Sequence, residues 1–312
     1  MEDMPKILII DLMHESIVPL LTHIGYEVAY EPAITVSEIH ERISNYEGLI
    51  VRSKISINKD LIEKGTRLKF IARAGAGIDQ VDETYLKARK ITLLNAPEGN
   101  RVAVGEHTLG MLLCLMNKLN TANTEVKAGI WDREANRGFE ISGKTIGIIG
   151  YGNMGQAFAK CLKGFDCRVL AYDKFKKDFS DEFAQEASLE ELFETAEVLS
   201  LHIPLTLDSR NWADSTFFSK FKKPIWFLNT ARGEIASFKA VAESINNGQI
   251  LGAGLDVLEN EKLKTLSDEQ RLYFNELVNA PNVLFTPHVA GWTHESYRKI
   301  NEVLTQKIKQ LN

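Results

Sequence analysis

The stretch Lys144-Thr-Ile-Gly-Ile-Ile-Gly150-Tyr-Gly152-Asn-Met-Gly155-Gln-Ala-Phe-Ala159 decides the fold. It sets three glycines at G-x-G-x-x-G spacing between an apolar run that reads as a buried strand and a periodic run that reads as a helix. The first glycine permits a tight turn, and the second lets a pyrophosphate approach bare backbone. The third lets the helix pack on the strand, with the helix N-terminus facing the phosphates. The next strand-like run ends at Asp173, 18 residues beyond Gly155. A carboxylate there can accept hydrogen bonds from adenosine ribose hydroxyls and repels a 2′-phosphate, so NAD is expected rather than NADP. Lys174, Lys176 and Lys177 complicate that preference by placing cations nearby.

Outward from this motif, strands are expected at residues 145–150, 167–173, 198–203, 225–229, 252–256 and 283–286, enough for a doubly wound nucleotide-binding sheet. Upstream, residues 6–11, 27–30, 48–53, 69–74 and 91–95 also read as strands alternating with helices, which implies a second parallel sheet. Ile7-Leu8-Ile9-Ile10 and Leu49-Ile50-Val51 are continuously apolar, as strands covered on both faces should be. Asn95-Ala-Pro97-Glu-Gly99-Asn100 breaks the pattern and reads as a linker, followed by a helix over 102–119 and, near the end, another over 295–308. The expected fold class is α/β, with two doubly wound parallel-sheet domains. The boundaries are 1–98 with 289–312 for a discontinuous substrate domain and 99–288 for the nucleotide-binding domain.

Composition excludes several classes of function. The chain has 312 residues, with 37 Lys and Arg against 42 Asp and Glu, a net charge of −5. It has no basic run suited to nucleic acid. The longest apolar run, residues 109–116, is eight residues, far short of the roughly 20 that cross a bilayer. The N-terminal residues lack the basic flank and cleavage site of a signal peptide, so a cytoplasmic location is expected. Cys114, Cys161 and Cys167 lack the spacing of a zinc or redox pair and read as core thiols. No cluster has metal-ligand spacing, and no metal is expected.

Three further stretches lie downstream: Leu228-Asn-Thr-Ala-Arg232-Gly-Glu, Gly254-Leu-Asp256-Val-Leu-Glu-Asn-Glu261 and Thr286-Pro-His288-Val-Ala-Gly291. Together with Val51-Arg52-Ser53, Arg73-Ala-Gly-Ala-Gly77-Ile-Asp79, Asn95-Ala-Pro-Glu-Gly-Asn100 and Ser200-Leu-His202-Ile-Pro204-Leu-Thr206, they occur in an order that resembles the D-isomer-specific 2-hydroxyacid dehydrogenases. The likeness is greatest to the branch of D-3-phosphoglycerate dehydrogenases and hydroxypyruvate or glyoxylate reductases, and it covers nearly the whole chain.

The resemblance implies a Rossmann NAD-binding domain inserted into a flavodoxin-like substrate domain. It also implies a catalytic set of Arg232, Glu261 and His288. Oxidising a 2-hydroxy acid requires removal of the hydroxyl proton as C2 gives up hydride, and a histidine titrates in the right range for that. Glu261 would orient the ring and stabilise imidazolium, while Arg232 would receive the substrate carboxylate and polarise its neighbour. The cofactor set implied is Gly150, Gly152, Asn153, Met154, Gly155, Asp173, His202, Ile203, Pro204, Thr230, Ala231, Asp256, Gly291 and Ala76. The substrate set implied is Arg52, Ser53, Arg73, Ala74, Gly75, Ala76 and Gly77, with Arg232 and His288. Arg52 and Arg73 would suit a distal phosphate, hence 3-phosphoglycerate and serine biosynthesis. Hydroxypyruvate or glyoxylate reduction is the alternative, and a non-catalytic NAD(H)-sensing binding protein is another. His14, His23, His40, His107 and His294 lack motif support and read as structural or surface residues.

A homodimer is implied through the 102–119 helix and the arm around Trp131, the alternative being that the helix is an internal core element. The crossings at Pro97 and Pro287 suggest a hinge for closure around a small-molecule substrate. Lys262 stands where the family commonly has Pro, and the polar stretch 262–279 reads as a more mobile loop. With the chain ending at Asn312, no appended regulatory domain is expected.

Overall fold

The structure, a computed structural model, describes residues 4–311. The chain divides into two units, Met1–Arg101 with Trp292–Asn312 and Val102–Gly291. The first unit holds β1 (Lys6–Ile9), β2 (Glu27–Tyr30), β3 (Gly48–Val51), β4 (Phe70–Arg73) and β5 (Thr92–Asn95), all parallel in the order β2-β1-β3-β4-β5. This is the flavodoxin-like order, and the winding reverses between β1 and β3. Side chains alternate strictly across the sheet. Leu8, Ile10, Leu49, Val51 and Ile71 pack with Ile39, Leu61, Ile62 and Leu86 on one face. Ile7, Ile9, Ile50, Phe70 and Ala72 pack on the other with Ile17, Leu21, Ile300, Leu304 and Ile308. The last three come from the helix His294–Lys309, whose i, i+4, i+8 spacing presents one apolar stripe.

The second unit holds β6 (Thr145–Ile149), β7 (Arg168–Tyr172), β8 (Gln185–Glu186), β9 (Val198–Leu201), β10 (Ile225–Asn229), β11 (Ile250–Leu255) and β12 (Val283–Phe285). They form one parallel sheet in the order β12-β11-β10-β9-β6-β7-β8, the doubly wound Rossmann arrangement, which reverses between β6 and β9. Phe227 enters one core with Leu199, Phe218 and Val241, while its neighbours Trp226 and Leu228 enter the other with Ile146, Ile148, Leu112 and Phe158. Burying a side chain of this size contributes about 1.5–3 kcal/mol.

Three sequence-based expectations need correction. The segment around Pro97 is no linker: a helix runs Pro97–Met116, starting five residues before the expected 102. Proline suits a first helical turn because its missing N–H would be unpaired there anyway. Gly99 lets that turn lie close to the helix His294–Lys309, since a Cβ would come within 2.8 Å of the Ile300 backbone. Met111, Leu112, Leu115 and Met116 of the same helix enter the core of the second unit. β8 adds an edge strand beyond the expected six; at two residues it is too short for an apolar pattern to mark it. The polar stretch 262–279 is ordered into a 3-10 turn, Leu263–Thr265, and a helix, Asp268–Asn279, closed by a capping box between Ser267 and Gln270. Among the described residues no helix is long and apolar enough to cross a membrane.

Candidate active site

The glycine turn is built as its chemistry requires. Gly150 has φ +93°, and a Cβ there would meet the His202 carbonyl oxygen at 2.5 Å, so the turn lies hard against the end of β9. A Cβ on Gly155 would sit 2.1 Å from the Gly150 oxygen, which is the close helix-on-strand contact. Gly152 differs: a Cβ there would meet nothing within 4 Å. It begins the helix Asn153–Cys161, and no side chain caps that helix. An open cradle beside uncapped amide donors fits the pyrophosphate of NAD.

Asp173 follows β7. Its Oδ2 accepts from the Tyr151 N–H at 2.9 Å, and Oδ1 accepts from the N–H groups of Phe175 and Lys176 at 2.9 and 3.2 Å. The carboxylate thus joins the glycine turn to the loop after β7. Tyr151, a variable position of the motif, is buried and donates its hydroxyl to Asp181 at 2.8 Å; burial, then Asp181, pushes its pKa up. Nothing in the motif's spacing marks this second tie to the glycine turn. Burial pushes the His202 imidazole down to about 3, so it is neutral. Its Nε2 meets Ser200 Oγ at 2.8 Å, and its buried Nδ1 has no partner among the described residues.

At the carboxyl ends of β10, β11 and β12 lie the other three stretches. Arg232 is extended, its Nη1 donating to the Ala231 carbonyl at 2.7 Å, while Asn229 Nδ2 donates to the Arg232 carbonyl. The Thr230 hydroxyl is 3.1 Å from that of Thr108. His288 Nδ1 lies 2.8 Å from Glu261 Oε1, and both side chains are about half exposed. The hydrogen bond with His288 holds the Glu261 carboxyl below the ordinary carboxylate range, helped by the charges of His288 and Arg232 and opposed by burial. Glu259, two residues away, is engaged elsewhere: it accepts from the Phe238 N–H and from Gln270.

Asp256 explains how His288 is held. Its carboxylate is 1% exposed, with Oδ1 accepting from the Val289 N–H at 2.8 Å and the Thr286 hydroxyl at 2.6 Å, and Oδ2 from the Ala290 N–H at 2.9 Å. The His288 N–H donates to the Asp256 carbonyl at 2.7 Å. These bonds fix the turn in which His288 adopts φ +56°, a left-handed conformation in which histidine is less disfavoured than most residues. The family resemblance puts Asp256 in the cofactor set; the partners of its carboxylate are in this turn. His107, without motif support in the sequence, joins the same network, with Nε2 3.0 Å from the Thr286 hydroxyl and 3.7 Å from Asp256 Oδ1. Among the described residues no group of three or more His, Cys, Asp or Glu is arranged to hold a metal ion.

In the first unit, Arg52 and Ser53 follow β3, and Arg73 ends β4. The Ala74–Gly77 turn is held through its carbonyls: Asn95 Nδ2 donates to Ala76 at 2.7 Å, and the Ala96 N–H to Gly75 at 2.8 Å. The Arg73 side chain folds over this turn, its Nη1 lying 1.7 Å from where a Cβ on Gly75 would stand.

Residues 109–290 match the family model for the D-isomer specific 2-hydroxyacid dehydrogenase, NAD binding domain. The chain is 33% identical over 311 residues to the D-3-phosphoglycerate dehydrogenase of Methanocaldococcus jannaschii, covering 99% of this chain and 57% of that one. It thus spans little more than half the length of that relative. It is 35% identical over 271 residues to the hydroxypyruvate reductase of Thermotoga maritima, covering 87% and 86% of the two chains. Among solved structures, the D-lactate dehydrogenase from Aquifex aeolicus complexed with NAD and lactic acid is similar, with a TM-score of 0.82 at 26% identity over 98% of this chain and 95% of that one. With its second unit matched to an NAD-binding domain and relatives aligned along nearly its whole length, the chain belongs to the D-isomer-specific 2-hydroxyacid dehydrogenase family.

Proposed function

We propose that the chain is an NAD-dependent oxidoreductase interconverting a D-2-hydroxy acid and its 2-keto acid, with 3-phosphoglycerate and 3-phosphohydroxypyruvate, a pair of serine biosynthesis, as substrates. The contact between His288 and Glu261 carries this reading. With Glu261 ionised, Nδ1 must donate to it, and Nε2 keeps the lone pair that takes a hydroxyl proton or, once protonated, returns it to a ketone oxygen. The nicotinamide, when bound, accepts or supplies the hydride at C2. Arg232 receives the substrate carboxylate, and its charge meets the negative charge developing on the C2 oxygen. Arg52 and Arg73 supply charge for the distal phosphate, and Ser53 with the Ala74–Gly77 turn of the first unit binds the acid end of the substrate. That role is supported by the Ala76 and Gly77 amides, which donate to no backbone carbonyl among the described residues. Asn153, Met154, His202, Ile203, Pro204, Thr230, Ala231 and Gly291 line the cofactor beside the three glycines, joined by Ala76.

A hydroxypyruvate or glyoxylate reductase is the second reading, favoured by the Thermotoga relative, 86% of which aligns with this chain. Loss of NADH absorbance with phosphohydroxypyruvate, hydroxypyruvate, glyoxylate, pyruvate and 2-oxoglutarate separates the two. Fast turnover confined to the first supports the phosphorylated pair; turnover on small unphosphorylated acids supports the second reading. NADH binding without turnover on any of them would overturn both.

NAD is preferred over NADP in this reading. Asp173 supplies the charge that repels a 2′-phosphate, and two nearby cations already have partners: Lys174 pairs with Asp208 at 3.1 Å, and Lys176 donates to the Tyr151 carbonyl at 2.7 Å. Asp173→Asn keeps an acceptor for the loop amides and removes the charge, so the ratio of NADPH to NADH dissociation constants should fall about tenfold. An unchanged ratio sinks the argument.

The working form is a homodimer, covering an apolar surface on Leu119, Val126, Ile130 and Trp131, which are 55, 53, 52 and 79% exposed. Trp131→Asp should convert a two-chain species to a single chain in sedimentation velocity, and a single-chain wild type counts against the dimer. Free thiols at Cys114, Cys161 and Cys167 suit a cytoplasmic, reducing compartment.

A further inference from the structure

The first unit presents a cation at the place where its sheet winding reverses. Asp11 follows β1 and Arg52 follows β3, the two strands that flank the reversal. Ligands of open α/β sheets bind at the carboxyl ends of strands at such a point. Asp11 holds the backbone there: Oδ2 accepts from the Arg52 N–H at 2.7 Å and the Lys54 N–H at 3.5 Å, and Oδ1 from the Ser53 N–H at 3.5 Å. The guanidinium lies elsewhere, its Cζ 3.4 Å from the centroid of the Trp292 ring. Trp292 packs against Tyr297 with centroids 5.1 Å apart, and Tyr297 meets His14 edge-on at 5.8 Å. Among the described residues nothing accepts a hydrogen bond from the Arg52 guanidinium, and burial draws its pKa down, opposed by Tyr297 and Asp11.

An aromatic ring over the face of a guanidinium engages none of its N–H groups, which radiate in the plane. The stack therefore fixes the orientation of the fork while leaving its donors for a planar or tetrahedral anion. We propose that Trp292 is a positioning residue: it holds the Arg52 fork for an anionic group of the substrate remote from the reacting carbon, and so sets selectivity for keto acids carrying a second anion. This rests on the reading of the chain as a 2-keto acid reductase. Tyr297 backs the indole, and His14 in turn backs Tyr297.

Phosphohydroxypyruvate and hydroxypyruvate differ only in the distal phosphate, and they read the effect directly. In Trp292→Leu, KM for phosphohydroxypyruvate should rise about tenfold with kcat lowered less than about threefold, and KM for hydroxypyruvate should move far less. Trp292→Phe, which keeps an aromatic face, should restore most of the difference. An equal rise in both KM values, or an unchanged ratio, overturns the proposal.

A second readout separates this inference from the function it rests on. Indole fluorescence titrated with inorganic phosphate should change in the wild type, and the change should be lost in Trp292→Phe and weakened in Arg52→Lys, with thermal midpoints compared as a folding control. If the wild type turns over neither keto acid, the enzymatic reading fails while this titration still decides the anion site. No phosphate response in the wild type overturns the site itself.

Discussion

His288→Asn leaves NADH binding nearly intact and lowers kcat by roughly two to four orders of magnitude, about 3–5 kcal/mol of barrier. Asparagine is chosen because the backbone at this position has φ +56°, and asparagine tolerates left-handed geometry better than alanine. The substitution therefore removes the titrating group without forcing the Thr286–Ala290 turn to rebuild. It also removes the partner of Glu261, whose carboxyl should return toward its ordinary pKa because the hydrogen bond that lowers it is gone. A kcat within about threefold of wild type, less than 1 kcal/mol, would show that His288 handles no proton in the rate-determining step.

Asp256→Ala has the larger structural effect. Three donors point at one buried carboxylate; the Thr286 hydroxyl can turn to His107 Nε2, whereas the Val289 and Ala290 N–H groups have no other acceptor among the described residues. Leaving them unsatisfied should lower unfolding stability by about 3–5 kcal/mol, since bonds to a charged acceptor are worth more than neutral ones and the three are not additive. kcat should fall as well, because the turn carrying His288 is released. Urea denaturation and steady-state kinetics on the same preparation distinguish the roles. A stability loss below about 1 kcal/mol with collapsed kcat would place Asp256 in the chemistry rather than in the support of the turn.

The glycine turn is legible in the sequence because its requirements are local. Gly150 and Gly155 each meet a steric condition set within a few residues or by the adjoining strand, Gly152 keeps the space before the helix N-terminus open, and the spacing states all three. The inner strands are legible for a similar reason: β1, β3 and β10 are buried along most of their length and read as nearly continuous apolar runs. What the sequence hides depends on contacts remote along the chain. His107 and Thr286 meet across 179 residues, and no local pattern marks either as a partner of Asp256. The same holds for Arg52 and Trp292. Two of the corrected elements do carry local signals. Ser267 and Gln270 stand in capping-box spacing at the start of the helix Asp268–Asn279, and Pro97 is well placed as a first helical residue.

The helix His294–Lys309 supplies Ile300, Leu304 and Ile308 to one face of a sheet whose strands all lie before residue 96. During synthesis, Ile7, Ile9, Ile50 and Ala72 therefore wait for a cover that leaves the ribosome only after the whole second unit, whose residues are contiguous, has been made. The second unit can complete itself while translation continues; the first cannot. The nascent chain thus carries a half-covered apolar sheet through most of its elongation, and this is the interval in which it most needs protection from other chains.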